Sequence, residues 1–129
     1  MSNILLIKNK IKKFDKKIII SGDKSISIRW VLLASQALGK SKAYNLLMSE
    51  DVLAALEAIK KLGIKVLIHK NHCEIYGKGI NNFKYKNGLV IDAKNSGTLG
   101  RLILGLLVKS PRKIKIIGDK SLSKRDFLR

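Results

Sequence analysis

The run Ser21-Gly22-Asp23-Lys24-Ser25, with Arg29 four positions beyond the last serine, has the residue types of an anion site. Apolar segments on both sides place it where a strand turns into a helix. The first N–H groups of a helix lack internal acceptors and carry partial positive charge, so a phosphate or carboxylate settles there. Lys24 adds a full charge and Ser25 a hydroxyl. Ser25 and Arg29 share a helix face, and the guanidinium can offer two parallel hydrogen bonds to an anion held by the serine. An arginine within so apolar a helix is costly unless an anion meets it. The plainer alternative is that Asp23 or Ser25 caps the helix while Lys24 and Arg29 face water.

A second run, Asn95-Ser96-Gly97-Thr98 followed by Arg101, repeats the arrangement after the apolar Leu89 to Ile91. Gly97 and Gly100 admit close backbone approach to a ligand, or else to a neighbouring element. Two like helix starts imply two anionic groups, or one ligand with two anionic ends. Lys120 to Arg125, after Gly118-Asp119, is a third cationic turn. Alone it reads as a solvated loop, and its meaning depends on the other two.

Other chemistries find little support. His69, His72 and Cys73 lie across a short turn where alternation sends adjacent side chains to opposite faces, so no metal site is expected. Walker-type, GxGxxG and GxSxG patterns are absent, which removes the usual signatures of nucleotide and serine hydrolysis.

The elements that must position these groups follow from pattern. Ile4 to Ile7 and Lys17 to Ile20 read as short strands on their β-branched residues. Lys24 to Leu38 reads as a largely buried helix, with Ile26, Trp30, Leu33 and Ala37 on one face and Ile28, Val31 and Leu32 on another; Gly39 stops it. Ser41 to Leu46 is a strand, and Ser49 caps a helix with Glu50 and Asp51 in its first turn, Lys60 and Lys61 in its last and Gly63 after it. Ile64 to Ile68 and Cys73 to Tyr76 form a hairpin, then a polar loop from Gly79 to Gly88 leads to a strand at Leu89 to Ile91. A helix over Gly97 to Lys109 ends before Pro111, Lys113 to Ile117 alternates as a strand, and Gly118 to Arg129 is a charged turn.

The chain has 129 residues, with 27 Lys+Arg against 9 Asp+Glu and a net charge of +18, so its partners are expected to be anions. With 46% hydrophobic residues it can bury a core. The lysines are scattered and aromatics amount to only 5%, which argues against a nucleic-acid surface with its clustered charge and stacking rings. The longest apolar runs, Trp30 to Ala34 and Leu102 to Val108, fall far short of the roughly 20 residues that span a bilayer. One cysteine excludes an internal disulfide and no secretion signal is apparent, so a cytoplasmic location is expected.

Taken together, Gly22-Asp-Lys-Ser-Ile-Ser27 with Arg29, Asn95-Ser-Gly-Thr98 with Arg101, and Gly118-Asp-Lys-Ser-Leu-Ser-Lys-Arg125 resemble the EPSP synthase family, 3-phosphoshikimate 1-carboxyvinyltransferase. Three motifs in the family's order span nearly the whole chain. The pattern departs from the family at Ser21, where proline is usual, at Ile28, at Gly100 and at Asp126, which stands where a proline follows the last arginine.

The resemblance implies an α/β (α+β) fold built from the repeated βαβαββ unit of the enolpyruvyl transferase inside-out barrel, here incomplete. Residues 1–20 would be opening strands that in the family cross to the other domain, and 21–129 the first unit plus part of the second. It implies transfer of the enolpyruvyl group of phosphoenolpyruvate to the 5-hydroxyl of 3-phosphoshikimate, on the shikimate pathway, with no cofactor and no metal. Lys24 would be catalytic and touch both substrates. Ser25, Arg29 and Thr98 would hold 3-phosphoshikimate, Gly97 and Arg125 phosphoenolpyruvate or its competitor glyphosate, and Asn95 and Arg101 would shape the pocket. The partners implied are small anionic substrates and the remainder of the enzyme, whose opposing domain carries the acid and base, so the isolated chain would be inactive. The related UDP-N-acetylglucosamine enolpyruvyl transferase shares the fold but typically has Lys-Asn at the place of Lys24-Ser25. A non-catalytic anion-binding or nucleic-acid-binding basic module is the alternative of a different class.

Overall fold

A computed structural model describes residues 4–6, 8, 10 and 12–127. Helix α1 (Lys24–Gln36) leads into strand β1 (Leu38–Tyr44), helix α2 (Glu50–Lys61) and the hairpin β2 (Lys65–Ile68) and β3 (His72–Lys78). Strand β4 (Leu89–Asp92), helix α3 (Gly97–Leu107) and strand β5 (Ile114–Ile117) follow, and a short 3-10 turn, Leu122–Lys124, comes last. β3 lies between β1 and β2 and is antiparallel to both, with Lys42 opposite Glu74 on one side and Val66 opposite Ile75 on the other. β1 and β2 therefore run in the same direction on either side of β3, and α2 is the crossover that joins them. β4 and β5 form a second, parallel sheet with α3 as its crossover. The order is that of a βαβαββ unit without its first strand, followed by the first three elements of another. Among the described residues no barrel closes.

α1 packs its Ile28, Val31 and Leu32 against α2 and β3, where Leu56, Ile59 and Ile75 meet them, and the same core continues through Ile91, Leu99 and Ile103. Full burial of each such side chain contributes about 1.5–3 kcal/mol. Gly77 lets β3 pass under the end of α1. A Cβ there would lie 2.3 Å from the carbonyl oxygens of both Ala34 and Ala37, and Ala37 also accepts from the Gly79 N–H.

Several expectations are corrected. Residues 4–6 and 17–20 form no strand and are exposed, while Ile7 lies outside the described residues. Their β-branched residues favour extended backbone but find no ladder here. α1 ends at Gln36 rather than Leu38, because Leu38 already pairs with Lys78, and Gly39 sits inside β1 at φ +83° instead of ending the helix. β1 accordingly starts and ends earlier than Ser41 to Leu46. Only one of the two apolar faces of α1 is buried, and Ile26 and Leu33 on the other are about two-thirds exposed. α3 stops at Leu107, and the final charged turn winds into the 3-10 turn around the buried Leu122.

Two glycines test this packing in opposite directions by urea denaturation. Gly77→Ala is expected to destabilise by about 1–3 kcal/mol, since backbone must move. Gly105→Ala, inside α3 with open space at its Cβ, is expected to stabilise by about 0.5–1 kcal/mol.

Candidate functional site

The start of α1 is bound to the segment that leads into α2. Gly22 approaches so closely that a Cβ would lie 2.2 Å from the Asn45 carbonyl oxygen. The buried Ser27 hydroxyl accepts from the Leu47 N–H at 3.1 Å, and the Asn45 side chain donates to the Ile20 carbonyl at 3.2 Å. The N-termini of α1 and α2 therefore sit side by side. Asp23 caps α1, accepting from the Ile26 N–H at 2.7 Å. Lys24 reaches across to Asp51 in the first turn of α2, 3.0 Å away. Ser49 precedes α2 as expected, yet its hydroxyl makes no capping bond and is buried without a partner among the described residues.

The third helix start opens at the same end. Glu50 and Leu53 of α2 line one cleft with Asp92 and Lys94, the segment joining β4 to α3. Parallel pairing carries the chain after β4 alongside the chain after β5, where the Ala93 N–H donates to Ile117 and the Asp119 N–H to Lys94. Ser96 caps α3, its hydroxyl accepting from the Leu99 N–H at 3.2 Å. Asp119 holds the last turn by accepting from the Leu122 N–H at 2.7 Å. That turn sends Arg125 back over the α3 N-terminus, where it donates to the Asn95 side chain at 2.7 Å. Gly97 leaves the space the guanidinium occupies: a Cβ would stand 2.9 Å from the Arg125 Nη1.

The structure thus joins Asn95, Gly97 and Arg125 directly and sets Lys24 and the half-buried Ser25 at the neighbouring helix start. Thr98 is half-buried in the first turn of α3. Arg29 differs from expectation. It is exposed and makes no hydrogen bond or ion pair with any described residue, so the argument from a buried guanidinium does not apply. Arg101 is also exposed, donating to the Asp126 carbonyl at 2.7 Å with its guanidinium over Phe127. Sequence reasoning placed Asp51 in the first turn of α2 but missed the scaffold roles of Ser27 and Asn45 and the partner of Asp119. Asp119 repeats the Asp-x-x cap pattern of Asp23, the one signal that could have found it.

The chemistry of this end is cationic and poised. Three helix N-termini point their partial positive charge outward, each worth about 0.3–1 kcal/mol to a nearby anion, and the lysines and arginines add full charges. The Lys24–Asp51 pair does not oppose a ligand strongly. Lys24 is half exposed, and such surface pairs contribute about 0–1 kcal/mol, so its ammonium is free to turn to a stronger anion. Asp92 is held below the usual carboxylate range by the Lys94 ammonium, 2.9 Å away, and then by the Lys94 backbone N–H. The same contact raises Lys94.

The family profile of EPSP synthase, 3-phosphoshikimate 1-carboxyvinyltransferase, matches residues 8–127. The chain belongs to the EPSP synthase family. It is 41% identical over 113 residues to the 3-phosphoshikimate 1-carboxyvinyltransferase of Leuconostoc mesenteroides, covering 88% of this chain and 26% of that protein. To the enzyme of that name from Bacillus cytotoxicus it is 42% identical over 118 residues, 92% of this chain and 28% of the relative. The solved EPSP synthase from Acinetobacter baumannii superposes with a TM-score of 0.75 at 34% identity, over 87% of this chain and 26% of that one. The chain spans about a quarter of the length of these relatives.

Two changes test the geometry of this end. Ser96→Ala is expected to cost about 0.5–2 kcal/mol in thermal or urea unfolding through loss of the cap. Because Asp92 is lowered on folding, its contribution is complete above the unfolded value near about pH 4 and is lost as pH falls through the folded value. Asp92→Asn is therefore expected to flatten the fall in stability below that pH and leave the slope at neutral pH unchanged.

Proposed function

We propose that this chain is the substrate-gripping quarter of a 3-phosphoshikimate 1-carboxyvinyltransferase. The observation that carries the reading is the meeting of Asn95, Gly97 and Arg125 over the α3 N-terminus, beside the Lys24-bearing start of α1. Both substrates carry phosphate and carboxylate groups, and this end supplies cations and helix starts for two of them. Lys24, Ser25, Arg29 and Thr98 hold 3-phosphoshikimate. Lys24, Gly97 and Arg125 hold phosphoenolpyruvate, and Asn95 and Arg101 shape the pocket between.

Two polyanions repel each other in water, and the cationic end offsets that repulsion and holds the 5-hydroxyl near C2 of the enol. The hydroxyl oxygen bonds to C2 and gives up its proton while a proton is delivered to the methylene carbon, and phosphate then departs as the resulting methyl group loses a proton and the enol double bond re-forms. General acid and base groups must move those protons. Among the described carboxylates, Asp23, Asp51, Asp92 and Asp119 are engaged in caps and ion pairs, and in this reading the acid and base come from the part of the longer relatives that this chain does not span. Closure by that part also excludes water and strengthens the electrostatics. It would cover the exposed Ile26 and Leu33 of α1 and the apolar hollow lined by Leu104, Ile117 and Phe127. No helix among the described residues is long and apolar enough to cross a membrane.

The test is phosphate release from phosphoenolpyruvate and 3-phosphoshikimate by this chain alone and with the remaining three-quarters of the Bacillus cytotoxicus relative supplied separately. The chain alone is expected to be inactive, and the mixture active and abolished by Lys24→Ala. Release by the chain alone, lost in Lys24→Ala, would show that one of its own carboxylates is catalytic. Silence of a mixture whose remainder works with its own first quarter would overturn the function. In the active mixture, Gly97→Ala pushes the Arg125 guanidinium aside and is expected to raise KM for phosphoenolpyruvate about tenfold or more, the loss of one charge-assisted hydrogen bond.

A further inference from the structure

We propose that His69, His72 and Glu74 form a surface site for a divalent transition-metal ion of the zinc class, on the sheet face turned away from the helices. Side chains alternate along β3, so Cys73 and Ile75 enter the core while His72 and Glu74 share the outer face. The expectation of no metal site rested on the separation of His72 from Cys73. That separation holds, but Glu74, two positions from His72, replaces the cysteine.

The ligand atoms are already gathered. The His72 Nε2 lies 3.4 Å from one Glu74 oxygen and the His69 Nε2 4.0 Å from the other, and all three donors fall within 4.8 Å of one another. Tetrahedral bonds of about 2.0–2.1 Å require donors about 3.3 Å apart, so the His72–Glu74 separation fits as it stands. His69, at the end of β2 and nearly half exposed, has freedom to close the rest. The turn between them is fixed by the His69 N–H bonding to the His72 carbonyl at 2.9 Å. The Tyr76 hydroxyl donates at 3.0 Å to the Glu74 oxygen nearer His69 and fixes the carboxylate, the role an outer partner plays at metal centres. Two imidazoles and one carboxylate suit zinc, copper or nickel rather than magnesium or calcium, and three protein donors leave a position for water.

Lys40 and Lys42, 3.5 and 3.9 Å from the same carboxylate, occupy the ion's place electrostatically. Both ammonium groups are partly exposed and can swing into water, so they weaken the site without blocking it. Their competition yields a signature that a purely structural Glu74 would lack.

The experiment is calorimetric titration of the tag-free chain with Zn2+ at about pH 7.5, where free imidazole is neutral. One saturable site is expected, weakened about tenfold or more by His69→Gln and by Glu74→Gln, and tightened several-fold by Lys40→Met. His69 is exposed, so His69→Gln reads the site even if Glu74→Gln perturbs the sheet. Absence of a saturable site below about 1 mM Zn2+, or a site indifferent to His69→Gln and Lys40→Met, would overturn the proposal.

Discussion

Everything at the cationic end depends on the close approach of Gly22 to the Asn45 carbonyl. With no Cβ in the way, the segment before α1 lies against the segment before α2, and the Ser27 hydroxyl fastens the contact to Leu47. Two helix starts that would otherwise diverge are thereby set next to each other. Parallel pairing of β4 with β5 then delivers the third start and the Arg125 turn to the same side. Positive partial charges gathered in this way repel one another mildly, and an anion relieves the repulsion. The arrangement is what supports the proposed role of this end in holding anionic substrates.

The core explains why so short a chain holds this end in place. α1 and α2 each bury one stripe against a three-stranded sheet, and the same cluster runs on into α3 and β4. The opposite face of α1, carrying Ile26 and Leu33, stays in water, as does much of α3. The relatives are about four times as long, and the proposed function has the part that this chain does not span pack over these exposed faces.

Much of this was legible in the sequence where local chemistry decides. The charges at both ends of α2 and the alternation of β2 and β3 located those elements to within a residue or two, and the first two motifs located the starts of α1 and α3. Burial was less legible, because helical spacing marks apolar faces without saying which one finds a partner. Both faces of α1 looked like core, but Ile28, Val31 and Leu32 are buried with Ala34 while Ile26 and Leu33 stay exposed, and Arg29 follows the exposed side. The opening segment shows a related limit: a strand is defined by its neighbour, and residues 17–20 pair with none among the described residues. The His69, His72 and Glu74 group was hidden because His69 lies in the turn after β2 and meets the two β3 residues only through the hairpin.

The most direct test of the account is to titrate the chain with 3-phosphoshikimate and follow its backbone amides by NMR. Shifts concentrated at Gly22 to Arg29 and Asn95 to Thr98, saturating together and lost in Lys24→Ala, are the predicted result. Shifts confined to the Lys120 to Arg125 turn, or spread over the scattered surface lysines and erased equally by salt, would contradict it.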